Sequence, residues 1–142
     1  MAAVSSSTRR LPVIALTLAG LLTAAAPGHA QQADAPAEEA LDLGDCPDTP
    51  SDFEQGKRYV CACPVTDASA AIYGSGVYTT DSDLCTAAVH AGAIEKDKGG
   101  RVTVTVVPSP PVFKGTTQHG VKSNVWTRPF DSAFTIAPAP AE

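Results

Sequence analysis

The stretch DSDLCTAAVHAGAIEKDKGG (residues 81–100) sets one cysteine and one histidine in a run of very small side chains. It can be read as a catalytic or metal-binding pair, or as a short structural helix pinned by a disulfide. Ser82 is placed to N-cap a helix, and Asp83 at the first position suits the positive end of its dipole. Gly92 fits a left-handed C-terminal stop. About nine residues remain between these signals, roughly two and a half turns, too few for a stable isolated helix. At 100° per residue, Leu84, Cys85, Ala87, Ala88, Val89 and Ala91 cover roughly 200° of its circumference. Thr86 and His90 share the remaining side with Asp83. Side chains this small let backbone approach from several directions, so the pattern predicts a helix enclosed by strands.

The surrounding elements follow from periodicity and punctuation. RYVCACPV (58–65) alternates, with Tyr59, Cys61 and Cys63 on one face, and stops at Pro64. SAAIYGSGVYT (69–79) reads as a strand broken by Gly74 and Gly76. RVTVTVV (101–107) is the clearest strand, with Val102, Val104 and Val106 facing one way. VFKG, GVKSNVW and SAFTIA give further short strands. The expected class is α+β: one small domain, a central short helix wrapped by short antiparallel β-strands and stapled by disulfides. No internal repeat is visible.

Residues 1–30 read as a signal peptide. Arg9 and Arg10 supply the basic region, LPVIALTLAGLLTAAA (11–26) the apolar core, and Gly28 and Ala30 the small residues for cleavage near Ala30. The apolar run has 16 residues, short of the roughly 20 that span a bilayer. The chain is therefore expected to be secreted or periplasmic, with no transmembrane segment in the mature form. Residues 31–45 read as an acidic Ala/Pro-rich linker, 46–137 as the folded domain and 138–142 as a Pro/Ala tail. Eight of the 15 acids fall between Asp34 and Glu54, where there is no Lys or Arg. From Gln55 onward 7 acids meet 8 bases. A nearly neutral domain has no electrostatic case for binding nucleic acid.

Outside the cytosol, four cysteines in a short chain are expected to pair as disulfides. Joining Cys61 to Cys63 would close a tiny strained ring. Two pairings remain open: Cys46 with Cys61 and Cys63 with Cys85, or Cys46 with Cys63 and Cys61 with Cys85. Either one ties a strand to the helix start, and each loop contributes about 3 kcal/mol in the chain-entropy model.

The stretch YGSGVYTTDSDLCTAAVHAGAIEKDKGGRVTVTVVPSPPVFKGTTQHGVKSNVW, closed by DSAFTI, resembles the LCCL domain, a module of extracellular proteins. The matching positions include Gly74, Tyr78, Ser82, Cys85, Ala87, Ala88, His90, Gly92, Gly100, Val102, Gly120, Val121, Ser123, Ser132 and Phe134. The Cys-x-Ala-Ala-x-His-x-Gly core is the specific part, and the likeness covers about residues 46–137. The chain departs from the pattern at His119, where the family more often has Asn, and in the tight Cys61-Ala-Cys63 spacing. The resemblance implies a central helix wrapped by strands and the pairings Cys46–Cys61 and Cys63–Cys85. It implies no enzyme activity, but ligand binding or adhesion, with lipopolysaccharide recognition suggested for some members.

Catalytic readings fare poorly on the residues themselves. His90 lies about 140° around the helix and some 7.5 Å along it from Cys85, so the two side chains diverge. A Ser82–His90–Asp83 triad lacks the strand-turn-helix elbow such a nucleophile needs. A metal site from Cys61, Cys63, Cys85 and a histidine lacks paired ligand spacing. No catalytic residue, metal or cofactor is expected. His90 is read as a helix histidine bonded to a backbone carbonyl or to Thr86, Tyr78 as core with its hydroxyl bonded, and Ser123 as shaping the turn after Gly120. The residues left over for a ligand are Trp126, Tyr73, Lys114, Lys122 and Arg128, an aromatic and cationic set suited to sugar stacking and to phosphate or carboxylate contact. The expected partner is a glycan or lipid outside the cytoplasm, or alternatively a protein.

Overall fold

The computed structural model describes residues 39–141. The expected signal peptide, residues 31–38 of the expected linker, and Glu142 lie outside these residues.

Among the described residues, eight strands and one helix follow in the order β1 (Leu41–Asp45), β2 (Arg58–Cys63), β3 (Gly74–Ser75), β4 (Val77–Thr79), α1 (Leu84–His90), β5 (Gly100–Val107), β6 (Thr117–Gln118), β7 (Val121–Lys122) and β8 (Ala133–Pro138). Six strands form one sheet in the order β1-β2-β5-β8-β4-β3, and β6 and β7 form a separate hairpin. All pairs are antiparallel except β1 with β2. The alternation read from sequence holds in β2 and β5. Tyr59, Cys61 and Cys63 are buried, as are Val102, Val104 and Val106, while the intervening residues are half-buried.

Two boundaries differ from the sequence reading. Residues 41–45, read as the end of a linker, are a fully exposed edge strand. Its acidic, turn-prone composition hid it, and it is held by backbone pairing to β2 and by tertiary charge. Asp42 accepts from Gly44 N–H at 2.9 Å and pairs with Arg101 at 2.6 Å. The Gly44 bond first, then Arg101, hold its carboxyl below the usual carboxylate range. Pro138, read as tail, ends β8. VFKG contributes only an isolated bridge between Phe113 and Trp126.

The helix is enclosed as expected, and more completely than its faces suggested. Leu84, Thr86, Ala87, Ala88, Val89 and His90 are all buried, including the two polar residues. It contacts the sheet through β8 and the small hairpin through β7. The core joins Ala87 and Ala88 to Cys61, Cys63, Val102, Val104, Phe134 and Val121. Alanine is what lets a helix fit among so many backbones, and larger side chains would overpack the space.

Its ends are built differently from the sequence reading at one side only. Asp83, not Ser82, is the N-cap, accepting from Thr86 N–H at 2.7 Å. Ser82 is instead buried, accepting from Tyr73 N–H at 2.9 Å and bonded to Thr79 Oγ1 at 2.9 Å. Both residue types can cap, so the signal in the sequence was ambiguous by one position. At the other end, Gly92 N–H donates to Val89 O and Ala93 N–H to Ala88 O, a Schellman stop with Gly92 at φ +74°.

Two disulfides hold this arrangement: Cys46–Cys61 and Cys63–Cys85. All four cysteines are thereby paired.

Candidate functional site

The helix residues that could carry chemistry are spent on structure. His90 is fully buried. Its Nδ1 lies 2.8 Å from the Tyr78 hydroxyl, and its Nε2 lies 3.2 Å from Thr116 Oγ1 and 3.4 Å from Thr116 O. The Thr116 carbonyl fits the sequence reading; Thr86, the other partner expected, is replaced by Tyr78. The donors assign the tautomer. Tyr78 donates to Nδ1, and Nε2–H points at Thr116, whose hydroxyl donates onward to Ser75 Oγ at 2.9 Å. Burial raises the Tyr78 pKa, with Gly76 N–H bonded to its oxygen pulling the other way. Burial likewise lowers the His90 pKa below its ordinary 6.5, against the Thr116 bond and assisted by His119.

His90 is held neutral in the fold and titrates freely when unfolded. The unfolded chain therefore binds more protons below pH 6.5, and stability is present above that value and falls as pH drops toward the depressed folded pKa. Within that window the slope from this one group is at most about 1.4 kcal/mol per pH unit. Denaturant melts from pH 7.5 to 5 check it. His90→Gln is expected to flatten the dependence, and an unchanged profile in that variant would contradict the assignment.

His119 solves the departure noted in the sequence. The β6–β7 loop is two residues, His119 at φ +50° and Gly120 at φ +76°, a type I′ turn in which Asn is the preferred first residue. Here the imidazole compensates: His119 Nδ1 lies 2.9 Å from the His90 carbonyl, and so bonds an orphan acceptor at the helix C-terminus. The ring packs so close to Gly92 that a Cβ there would lie 2.6 Å from His119 Cε1. Ser123, buried, accepts from Thr116 N–H at 2.9 Å and donates to Thr116 O at 3.2 Å, so it fixes the strand after the turn.

Neither the two catalytic arrangements nor the metal site weighed from sequence is assembled. Cys85 is bonded to Cys63. Ser82, Asp83 and His90 each face other partners. The sulfurs of Cys46, Cys63 and Cys85 cluster within 4.8 Å, but all are oxidised in the two bridges.

The five leftover residues divide into two neighbouring groups. Lys114 and Lys122 are exposed and flank a groove of about 490 Å³ with Gly115, Thr116, Ser123 and Val125. Val125, at 59% exposure, adds an apolar edge. Tyr73, Trp126 and Arg128 form a second group. Tyr73 packs edge-on against Trp126 with ring centroids 5.7 Å apart, Phe130 does so at 6.1 Å, and Arg128 Cζ sits 5.1 Å over the indole. The groups meet along one ladder. Phe113, next to Lys114, exchanges backbone bonds with Trp126, next to Val125. Sequence named both lysines; it had no signal for Thr116, whose role arises from contacts with His90 and Ser75, both distant along the chain.

A family model for the LCCL domain matches residues 43–133. The chain belongs to the LCCL domain family. The match spans the helix, both disulfides and the lysine groove. Cysteine-rich secretory protein LCCL domain-containing 2 from Homo sapiens is 36% identical over 80 residues, covering 56% of this chain and 16% of that protein. Mouse vitrin is 33% identical over 78 residues, covering 51% and 12%, and human cochlin 34% identical over 74, covering 52% and 13%. The chain thus spans less than a fifth of these curated relatives, and the likeness is that of one LCCL domain. Among the described residues no helix is long and apolar enough to cross a membrane.

Proposed function

We propose that this LCCL domain is an exported, non-catalytic binding module whose lysine-flanked groove takes an anionic glycan or lipid headgroup of lipopolysaccharide type. The observation that carries the reading is the groove itself. Lys114 and Lys122, both exposed, line it together with Thr116 and Ser123. Neither lysine is engaged in an ion pair among the described residues. Two ammonium groups beside hydroxyls and backbone suit phosphate or carboxylate, and Val125 offers an apolar margin for a sugar ring or acyl root. The name of the human secretory relative fits an extracellular setting. The aromatic group around Trp126 lies along the same ladder and extends the surface for stacking.

Calorimetry with lipopolysaccharide and with vesicles containing phosphatidylglycerol tests this. Binding is expected to be saturable and to weaken between low and high salt, because exposed charges are screened over about 8 Å at physiological ionic strength. Phosphatidylcholine vesicles should not bind. Silence toward every anionic surface would overturn the reading.

A protein-binding role is the second reading, favoured by Leu41 and Leu43, which stand 52% and 42% exposed on the edge strand. Crosslinking in an envelope extract distinguishes it, since it requires a polypeptide partner contacting β1.

A further inference from the structure

The two disulfides are neighbours. The Cys46, Cys63 and Cys85 sulfurs all lie within 4.8 Å of one another although they belong to two different bridges. Cys46 lies beside both cysteines of β2, bonded to Cys61 and with its sulfur within 4.8 Å of that of Cys63. Its N–H donates to Ala62 O at 2.9 Å, and Ala62 lies between Cys61 and Cys63. One backbone bond thus holds Cys46 beside both possible partners. Cys61 and Cys63 are equally suited to be left unpaired, at 0% and 4% exposure, because a protonated thiol behaves as a small apolar side chain. The loops closed from Cys46 to either differ by only two residues, so chain entropy scarcely distinguishes them. Access is asymmetric. Cys46 and Cys85 are half-buried and line a cleft of about 200 Å³ walled by Pro47, Pro64 and Val65.

We propose that the paired bridges form a thiol–disulfide exchange site, at which a small dithiol opens the Cys63–Cys85 bridge and the remaining bridge moves between Cys46–Cys61 and Cys46–Cys63. A thiolate of the dithiol attacks Cys85 Sγ, forming a mixed disulfide and releasing the Cys63 thiolate. The second thiol of the reductant attacks the mixed disulfide, leaving as a cyclic disulfide and freeing Cys85 as a thiol. The reductant is oxidised by two electrons and one protein bridge is reduced. The Cys63 thiolate then attacks Cys46 Sγ. The Cys46–Cys63 bond forms, the Cys46–Cys61 bond breaks, and the Cys61 thiolate takes a proton. This second step is an exchange with no net redox change. In both one-bridge forms Cys85 is the surface thiol, open to small thiols from the surroundings. Asp48 and Asp83 also line the cleft and disfavour an anionic reagent, so a neutral dithiol is the suitable probe.

The proposal is independent of what the groove binds. The test is limited reduction of the full chain by dithiothreitol without denaturant, followed by acid quench, alkylation and peptide mapping. Singly reduced molecules should carry label on Cys85, with the second label divided between Cys63 and Cys61 and Cys61 holding more than roughly a tenth of it. Label confined to Cys63 and Cys85, or to Cys46 and Cys61, would overturn the proposal, as would joint loss of both bridges with no one-bridge species. Cys85→Ser provides a reductant-free version. It places an unpaired Cys63 beside Cys46–Cys61 from the start, and the purified variant should contain both pairings. If that variant does not fold, the wild-type mapping decides alone.

Discussion

Cys85→Ser should lower the unfolding free energy by about 2–5 kcal/mol, the usual consequence of losing a native bridge from a small domain. The bridge from Cys63 spans 22 residues and does two things at once. It limits the unfolded chain, and it ties the start of α1 to β2. The helix has seven residues and cannot nucleate alone, so its position depends on this tie and on packing. Whichever of Cys63 and Cys61 is left as the free thiol is buried and fits the core as a small apolar group, and serine at the half-buried position 85 finds water. The loss is therefore dominated by the missing link, not by a new buried polar atom. Denaturant unfolding of the oxidised wild type and variant measures it. Equal midpoints would show that the bridge is ornamental and that packing alone positions the helix.

Gly74→Ala should cost about 2–4 kcal/mol. Gly74 sits at φ +107°, and an added Cβ would lie 2.1 Å from the Val77 carbonyl oxygen and 3.1 Å from Phe113 Cδ1. The first is backbone, at the far end of the tight β3–β4 turn, and Phe113 is fully buried. Relief requires the turn to move, and with it Gly74 N–H, which donates to Asn124 O. Gly56 provides the control. It is also left-handed, at φ +81°, but an added Cβ meets nothing within 4 Å. Gly56→Ala should therefore show the conformational strain alone, about 1–2 kcal/mol. Similar losses at both positions would contradict the close approach described at Gly74.

Much of this was readable in advance where the reason is local. Period-two alternation placed the inward faces of β2 and β5. The small residues of α1 announced a helix among strands. What was missed depends on partners distant in sequence. β1 has the composition of a linker and becomes a strand only because β2 offers its edge and Arg101 meets Asp42. Ser82 and Asp83 are equally good caps in sequence, and the choice falls to Asp83 because Tyr73 and Thr79 claim the serine. His90 could be seen as structural, but its bond to Tyr78 depends on how β4 lies against the helix. Of the candidate site, both lysines were legible as cations left over from the core. That they share one groove depends on the β6–β7 hairpin, and that Trp126, Tyr73 and Arg128 form a separate stack depends on the bridges Phe113–Trp126 and Tyr73–Asn124.

The lysines proposed to meet a ligand are distinct from the residues that hold the fold, and one paired measurement tests that division. In Lys114→Glu/Lys122→Glu the melting temperature should match wild type, since both side chains are exposed and surface changes away from special features usually alter stability by less than about 0.5 kcal/mol. Binding to phosphatidylglycerol vesicles should weaken by at least about tenfold, a loss of about 1.4 kcal/mol. Full binding by the folded double variant would contradict the claim that this groove is where the domain meets its ligand.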